Sequence, residues 1–215
     1  YIAITDHSRR LTVARGLDAA GLRRQIAEID RLNAEGLGIR ILKGIEVDIL
    51  RDGSLDLPDH VLAEPDLVVA GVHGAFHLDR EVQTRRVERA LAHPLVTILA
   101  HPTGRLIGER DAYDVDMDRM VQVARAHRTI LEIDSDPERL DLQDVDCRRA
   151  KATGVLMSID SDAHQVGAFA NLAYGVSQAR RGWVEAANVV NTRSLDAPRL
   201  LAEGRTGRRV TLTAA

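Results

Sequence analysis

Six short apolar runs alternate with longer amphipathic ones along most of the 215-residue chain, and this alternation constrains the fold most. Short apolar runs bounded by polar residues are typical of buried strands, and the longer amphipathic runs are typical of helices. Regular alternation of the two favours repeated β-α units and therefore a parallel sheet. The predicted strands cover residues 1–4, 39–47, 67–72, 96–100, 129–133 and 155–159.

The runs between these strands predict helices. In the first one, Leu22, Ile26 and Ile29 keep the spacing of three to four residues that gives a helix one buried face. Gly154 directly follows the fourth and is predicted to cap its C-terminal end. The predicted helices cover residues 20–34, 80–92, 116–127 and 144–153, followed by 168–181, 184–190 and 196–203.

No internal repeat or linker divides the sequence, so we expect a single domain over residues 1–215. The chain opens at Tyr1 directly into an apolar run, without an initiator methionine, and we interpret it as a fragment of a longer polypeptide. Its one cysteine, Cys147, excludes an internal disulfide and a zinc site built from several thiolates. No signal peptide or run long enough to span a membrane is evident, which favours a cytoplasmic location.

The composition gives little general affinity for nucleic acid. The net charge is −3, and only 3% of the residues are aromatic, so base-stacking platforms are scarce. If the domain acts on DNA, we expect other parts of the longer protein to provide most of the binding.

Histidines and carboxylates stand where the predicted strands end. In a parallel barrel all carboxyl ends of the strands meet at one rim, so these side chains should converge. Imidazole and carboxylate ligands without thiolates suit zinc, manganese or iron. Six ligands are more than one tetrahedral ion uses, which predicts two or three neighbouring ions. The candidate ligands are His7, Glu46, His73, His101, Asp162 and His164.

Each of these residues, taken alone, is more typical of a cap or a surface position than of a metal ligand. Together they are hard to explain as independent caps, because histidines follow several strands in the same way. The fifth predicted strand ends with Glu132, Asp134 and Asp136, acids that can also serve as helix caps.

Several segments of the chain together resemble the PHP (polymerase and histidinol phosphatase) superfamily. The stretches 52–59, 101–105 and 180–183 resemble, more narrowly, the C-terminal PHP domain of bacterial family X DNA polymerases. The resemblance extends from Tyr1 to about Thr192. The segments that carry it are Ala3-Ile-Thr-Asp-His7, Gly44-Ile-Glu-Val-Asp48, Val72-His73, Ala100-His-Pro102 and Asp162-Ala-His164.

The resemblance implies a distorted, TIM-like (β/α)7-type barrel whose first strand is missing from this chain. It implies two or three Mn²⁺ or Zn²⁺ ions in the complete domain, bound by the six candidate ligands, with Glu46 bridging two of them. It also implies 3′-to-5′ exonuclease or DNA end-processing activity in DNA repair. The expected partners are DNA and a polymerase domain in the same chain, with no membrane.

Three arginines and one aspartate complete the predicted site. Arg9, Arg10 and Arg105 are expected near the rim, where a guanidinium can bind a substrate phosphate and offset charge in the transition state. Exposure to solvent explains each of these arginines equally well. The resemblance implies that Asp6 acts beside the ligands, and Asp6 and Arg105 are the predicted catalytic residues.

Two departures from the family pattern keep other functions open. The His-x-His of the family's opening strand is absent, and Asp134 and Asp160 stand where the family more often has asparagine. One alternative is a small-molecule phosphatase of the histidinol-phosphatase type. Another is a catalytically degenerate PHP scaffold that supports the polymerase.

Overall fold

The structure is a computed structural model that describes residues 1–11 and 15–195. At its centre lies a sheet of six parallel strands whose spatial order is the same as their order in the chain. The sheet curls into an open half-barrel, the TIM-like α/β arrangement that the family resemblance implies. The strands are β1 (Ile2–His7), β2 (Ile41–Asp48), β3 (Leu67–Gly71), β4 (Ile98–Leu99), β5 (Ile130–Asp134) and β6 (Met157–Asp160).

Helices return the chain from one strand to the next. Asp18 begins the first of them, because its side chain accepts a hydrogen bond from the backbone N–H of Gly21 at 2.7 Å. Gly154 caps α5 in the left-handed conformation, as predicted. The helices are α1 (Ala19–Ala34), α2 (Asp59–Leu62), α3 (Arg80–Leu91), α4 (Met117–His127), α5 (Asp144–Thr153) and α6 (Leu172–Arg181). Within the described ranges, none of them combines the length and the apolar character needed to cross a membrane.

The sequence-based helix predictions fail near the C-terminal end. The helix predicted over 184–190 is wrong, because two 3-10 turns at Ala186–Asn188 and Val190–Thr192 occupy this region. Val189 between them is extended and forms a parallel bridge to Met157 of β6. The helix predicted over 196–203 lies outside the described residues.

The core holds the strands rigidly beneath the rim. Ile45 of β2, Leu131 of β5 and Met157 of β6 are fully buried, and Leu22 of α1 and Leu91 of α3 are equally inaccessible. Burying each such side chain contributes about 1.5–3 kcal/mol. Polar side chains at the strand ends are therefore attached to a well-packed base.

Strand register determines which polar side chains are neighbours. His7 of β1 pairs with Glu46 of β2, while Asp134 of β5 pairs with Asp160 of β6. Paired residues of parallel strands project to the same face, and side chains two positions apart also share a face. The register thus places a histidine-rich cluster on the first strands and an acidic cluster on the last two.

Candidate metal centre

The carboxylate of Glu46 lies among three imidazoles that come from three different strand ends. Its Oε1 atom is 3.1 Å from Nε2 of both His73 and His101, and its Oε2 atom is 3.4 Å from Nδ1 of His7. Glu46 is only 5% exposed. Ligand atoms of His7, Glu46 and His73 all lie within 4.8 Å of one another. The sequence predicted this convergence from the strand ends alone.

The donor atoms of this cluster fit a metal ion. Nδ1 of His101 is buried without a hydrogen-bond partner among the described residues, and Nδ1 of His7 and of His73 each has only a carboxylate oxygen at 3.4 Å, too poorly placed for a hydrogen bond. A buried polar atom without a partner costs about 1–3 kcal/mol, so these nitrogens need an explanation. Imidazole nitrogens and a carboxylate without thiolates are ligands that zinc and manganese accept.

The charges of the cluster point to a cation as well. Burial raises the pKa of Glu46, but its contacts with His101 and His73 outweigh this and hold the pKa well below its usual range. Burial lowers the pKa of His73, but the nearby carboxylates of Asp48 and Glu46 raise it to about 9. Without a metal ion, a proton on His73 therefore balances the buried carboxylates, and metal binding would release it.

Two candidate ligands have strained backbones. His101 has a φ of +27° and Asp162 a φ of +43°, both in the region that favours glycine. Such conformations cost about 1–3 kcal/mol each and are found preferentially at functional sites. The backbone N–H of His101 donates to the carboxylate of Glu132, which holds this conformation in place.

Gly71, at the end of β3, leaves room for the cluster. A Cβ atom at this position would lie 2.6 Å from Cε1 of His73 and 2.8 Å from Oε1 of Glu46. Only glycine avoids this overlap. The sequence reasoning missed Gly71, although a glycine two positions before a candidate ligand is a usable signal of close approach.

The structure places the last two predicted ligands at the edge of this cluster. Nε2 of His164 lies 3.4 Å from Nε2 of His7, and the His164 side chain is 63% exposed. Asp162 is mostly buried, and its Oδ2 atom lies 3.8 Å from Nε of Arg139. Four of the six candidates thus surround Glu46 or include it, His164 joins them through His7, and Asp162 contacts both His164 and Arg139.

Carboxylates of β5 and β6 form the second cluster of the rim. Burial, reinforced by neighbouring carboxylates, raises the pKa of Glu132 well above its usual range, that of Asp134 to about 9 and that of Asp160 to about 6. Oδ2 of Asp134 and Oδ1 of Asp160 are buried without hydrogen-bond partners in the described part of the chain. Nε of Arg139 approaches Asp134 to 3.4 Å. So many buried carboxyl groups are most stable when protonated or beside a cation.

The predicted catalytic pair makes structural contacts. Asp6 is exposed and accepts a hydrogen bond from Nε2 of Gln25 at 2.6 Å, because side chains alternate along β1 and Asp6 faces away from His7. The guanidinium of Arg105 donates to the carbonyls of Arg139 at 2.7 Å and Leu140 at 2.5 Å. These contacts do not support a catalytic role for Asp6 or Arg105, which stays a prediction.

The other two predicted phosphate ligands differ from each other. Arg9 is exposed, and its side chain has no hydrogen bond or ion pair within the described ranges. Arg10 lies at the rim, with Nε 3.1 Å from Oδ2 of Asp48, and its side chain is 63% exposed. Arg10 is therefore held beside the cluster by an acid that also approaches His73 Nδ1 to 3.4 Å.

Sequence reasoning missed two residues that support the cluster. Asp48 is 5% exposed and contacts both His73 and Arg10, and its spacing of two from Glu46 on a strand could have identified it. Arg86 is 3% exposed and donates to the carbonyls of Leu50 and Gly74, both at 2.9 Å. It joins the loops after β2 and β3, but no sequence pattern marks it.

The fold and this cluster define an α/β half-barrel protein. At the carboxyl ends of its strands lies a group of histidines and a glutamate that could hold a metal ion. No protein-family model matches the chain. The chain is 49% identical over 195 residues to the DNA polymerase/3′-5′ exonuclease PolX of Bacillus subtilis (strain 168), an alignment that covers 91% of this chain and 34% of that protein.

The chain is also similar to a second kind of protein, probable phosphatases. The chain is 30% identical over 179 residues to a probable phosphatase of Acetivibrio thermocellus, covering 78% of this chain and 69% of the relative. It is 30% identical over 137 residues to a probable phosphatase of Thermoanaerobacter sp. (strain X514), covering 59% and 54%. The chain belongs to the PHP family and is most like the PHP domain of family X DNA polymerases. It spans about a third of the length of the polymerase relative and about half that of the latter phosphatase.

Proposed function

We propose that this chain is a metal-dependent phosphoesterase that hydrolyses DNA phosphodiesters, as a 3′-to-5′ exonuclease or end-processing activity within a family X DNA polymerase. The observation that carries the proposal is the buried Glu46 carboxylate surrounded by His7, His73 and His101. The 49% identity to a polymerase/exonuclease supports DNA as the substrate. A role in DNA repair, a polymerase domain in cis and a cytoplasmic location belong to the same proposal.

The six predicted ligands would hold two or three Mn²⁺ or Zn²⁺ ions. His7, Glu46, His73 and His101 form one group, and Asp162 and His164 extend it toward β6. When bound, such ions lower the pKa of water and stabilise the oxygens of an in-line displacement at phosphorus. Contacts of Glu46 with His7 through one oxygen and with His73 and His101 through the other support a bridging role for this carboxylate.

Residues around the ligands would orient them and receive the substrate. Asp48 approaches His73 Nδ1 and so directs Nε2 of that ring toward Glu46. Arg10, largely exposed at the rim, can offer its guanidinium to an anionic phosphodiester. Roles for Arg9 and Arg105 at the substrate phosphate and for Asp6 beside the ligands remain part of the proposal, with weaker support from their contacts.

Hydrolysis of a small phosphomonoester is the second candidate, because the chain covers 69% of a relative named as a probable phosphatase. The acidic cluster favours a third candidate, a scaffold without catalysis. Asp160, with a pKa raised to about 6, adds negative charge at neutral pH where a phosphodiester would approach, whereas Asp134, with a pKa raised to about 9, stays protonated there.

A single comparison of substrates distinguishes the three candidate functions, namely DNA hydrolysis, phosphomonoester hydrolysis and a scaffold without catalysis. The chain is incubated with Mn²⁺ and either a 5′-labelled oligonucleotide, bis(p-nitrophenyl) phosphate or p-nitrophenyl phosphate, alongside His101→Ala. We expect stepwise loss of nucleotides from the 3′ end, abolished in the variant. Cleavage of the monoester alone would favour the phosphatase, and no metal-dependent cleavage of any substrate would favour the scaffold.

A further inference from the structure

The chain's only tryptophan, Trp183, is displayed on the surface rather than buried. It lies two residues after the end of α6, it is 72% exposed, and its φ of +60° is unusual for an aromatic residue. Its backbone is fixed on both sides: its N–H donates to the Arg180 carbonyl at 3.1 Å, and its carbonyl accepts from Nζ of Lys151 at 2.6 Å. A large apolar ring held in this way by its backbone is available for a partner.

A cleft of about 450 Å³ lies beside the indole, lined by Trp183 and by Arg148, Lys151 and Ala152 of α5. Lys151 is paired with Glu185 at 2.8 Å. Arg148 is exposed, and its side chain has no ion pair or hydrogen bond within residues 1–11 and 15–195. The cleft therefore combines an exposed aromatic face with an unpaired guanidinium.

The local charge favours an anionic occupant. Residues 144–153 and 180–185 carry five basic and three acidic side chains, in a chain whose net charge is −3. A locally positive region on an otherwise acidic protein attracts anions selectively to that region.

The cleft is separate from the metal centre. The C-terminal end of α5 leads into the amino end of β6, whereas Asp162 and His164 follow the carboxyl end of that strand. The four residues of β6 alone span roughly 13 Å at the usual rise. α6 runs back from the rim, so Trp183 also lies at the amino ends of the strands.

We propose that Trp183 and Arg148 form an accessory binding site for single-stranded DNA, in which a base stacks on the indole and the guanidinium binds a backbone phosphate. Aromatic stacking combined with a nearby cation is the usual means of binding single strands without sequence preference. The inference rests on the proposed action on DNA and adds a second contact, away from the metal centre. This accessory site holds the substrate strand while the end of that strand lies at the metal centre on the rim.

The fluorescence of the single tryptophan reports on this site alone. Oligothymidylate of about 12 nucleotides is titrated into the chain without added metal, so that it is bound and not cut. We expect saturable quenching of the Trp183 emission that weakens as salt rises. Arg148→Glu should weaken the binding at least about tenfold, whereas Arg24→Glu, the same charge change at an exposed position of α1, should weaken it far less.

Anisotropy of a fluorescein-labelled oligothymidylate tests the aromatic ring itself in Trp183→Ala, with thermal melting as the check that each variant is folded. We expect a loss of affinity of about tenfold or more. Binding by anisotropy that leaves the Trp183 emission unchanged would overturn the inference, as would equal affinity in Trp183→Ala. An emission that changes with protein concentration and not with DNA would also overturn it, and would indicate self-association through this cleft.

Hydrolysis of bis(p-nitrophenyl) phosphate with Mn²⁺ separates this inference from the proposed function. Hydrolysis without DNA-dependent quenching would contradict the accessory site and leave the phosphoesterase intact. Quenching without hydrolysis would support the site and contradict the phosphoesterase.

Discussion

The Nε2 atoms of His7 and His164 lie 3.4 Å apart, although 157 positions separate these residues in the chain. His7 ends β1 and His164 follows β6, and these two strands are the opposite edges of the sheet. Their rings are 5.6 Å apart between centroids and inclined by 33°. Curling of the half-barrel thus brings both edges together at one rim, so that the cluster of candidate ligands extends from the first strand to the last.

Gly71→Ala should disrupt the cluster without changing any candidate ligand. The new Cβ would lie 2.6 Å from His73 and 2.8 Å from Glu46, so these side chains must move. We expect metal affinity to fall by about tenfold or more, since displacement of a single support typically costs 10–100-fold. Calorimetric titration with Mn²⁺ measures this. Gly74→Ala is the matched control, because a Cβ there would meet nothing within 4 Å. Equal affinity in both variants would contradict the prediction.

Asp160→Asn should stabilise the metal-free protein. Burial, with smaller contributions from the charges of Asp162 and Glu46, raises the pKa of the Asp160 carboxyl to about 6, although hydrogen bonds with Glu132 and Ser158 act in the opposite direction. At pH 8 its charge is therefore repelled, and removing it should gain roughly 1 kcal/mol, which corresponds to roughly 2–4 °C in Tm.

Thermal melting of Asp160→Asn in EDTA at pH 8 and pH 5 tests this prediction. The gain should be smaller at pH 5, where the folded protein already holds a proton on this group. A loss of stability at both pH values, accompanied by loss of a bound metal ion, would instead show that Asp160 is itself a ligand.

Arg105→Ala should reduce stability rather than the chemical step. The guanidinium donates to the carbonyls of Arg139 and Leu140, which would lose their partners at a cost of about 1–3 kcal/mol. Urea unfolding measures that loss, and turnover of bis(p-nitrophenyl) phosphate at a temperature where the variant is folded measures the chemistry. A fall in kcat with unchanged unfolding free energy would return Arg105 to the catalytic role that the sequence predicted.

Cys147 should be almost inert in the folded protein. Burial, with smaller contributions from nearby aspartates, raises the pKa of its thiol to about 12. Because only the thiolate reacts, a rise of about three units lowers the reactive fraction at pH 8 about 1,000-fold relative to the unfolded chain. Reaction with a disulfide reagent, followed in buffer and in urea, tests this. Similar rates in the two conditions would contradict the buried position.

Much of the fold and of the histidine cluster could be predicted from the sequence. Alternating apolar and amphipathic runs determined the parallel sheet, and His73 and His101 follow their strands as the pattern indicated. Asp6 contacts Gln25 rather than the candidate ligands because β1 continues through His7, and the alternation of a strand turns Asp6 to the other face.

Features that depend on tertiary contacts were beyond local patterns. Val189 leaves the predicted helix because it bridges to Met157, a residue of β6 that is distant in sequence. The carbonyls that Arg86 and Arg105 bind are set by the conformations of loops, which no periodicity describes.

The number of metal ions bound by Glu46→Gln tests the account most directly. This substitution keeps the shape of the side chain and removes the charge that lies among His7, His73 and His101. Elemental analysis of the chain after loading with Mn²⁺ or Zn²⁺ and removal of free metal gives the stoichiometry, and Glu28→Gln on the exposed face of α1 is the control. The account predicts at least one ion fewer per chain in Glu46→Gln than in the wild type or the control. Equal stoichiometry in all three would contradict it.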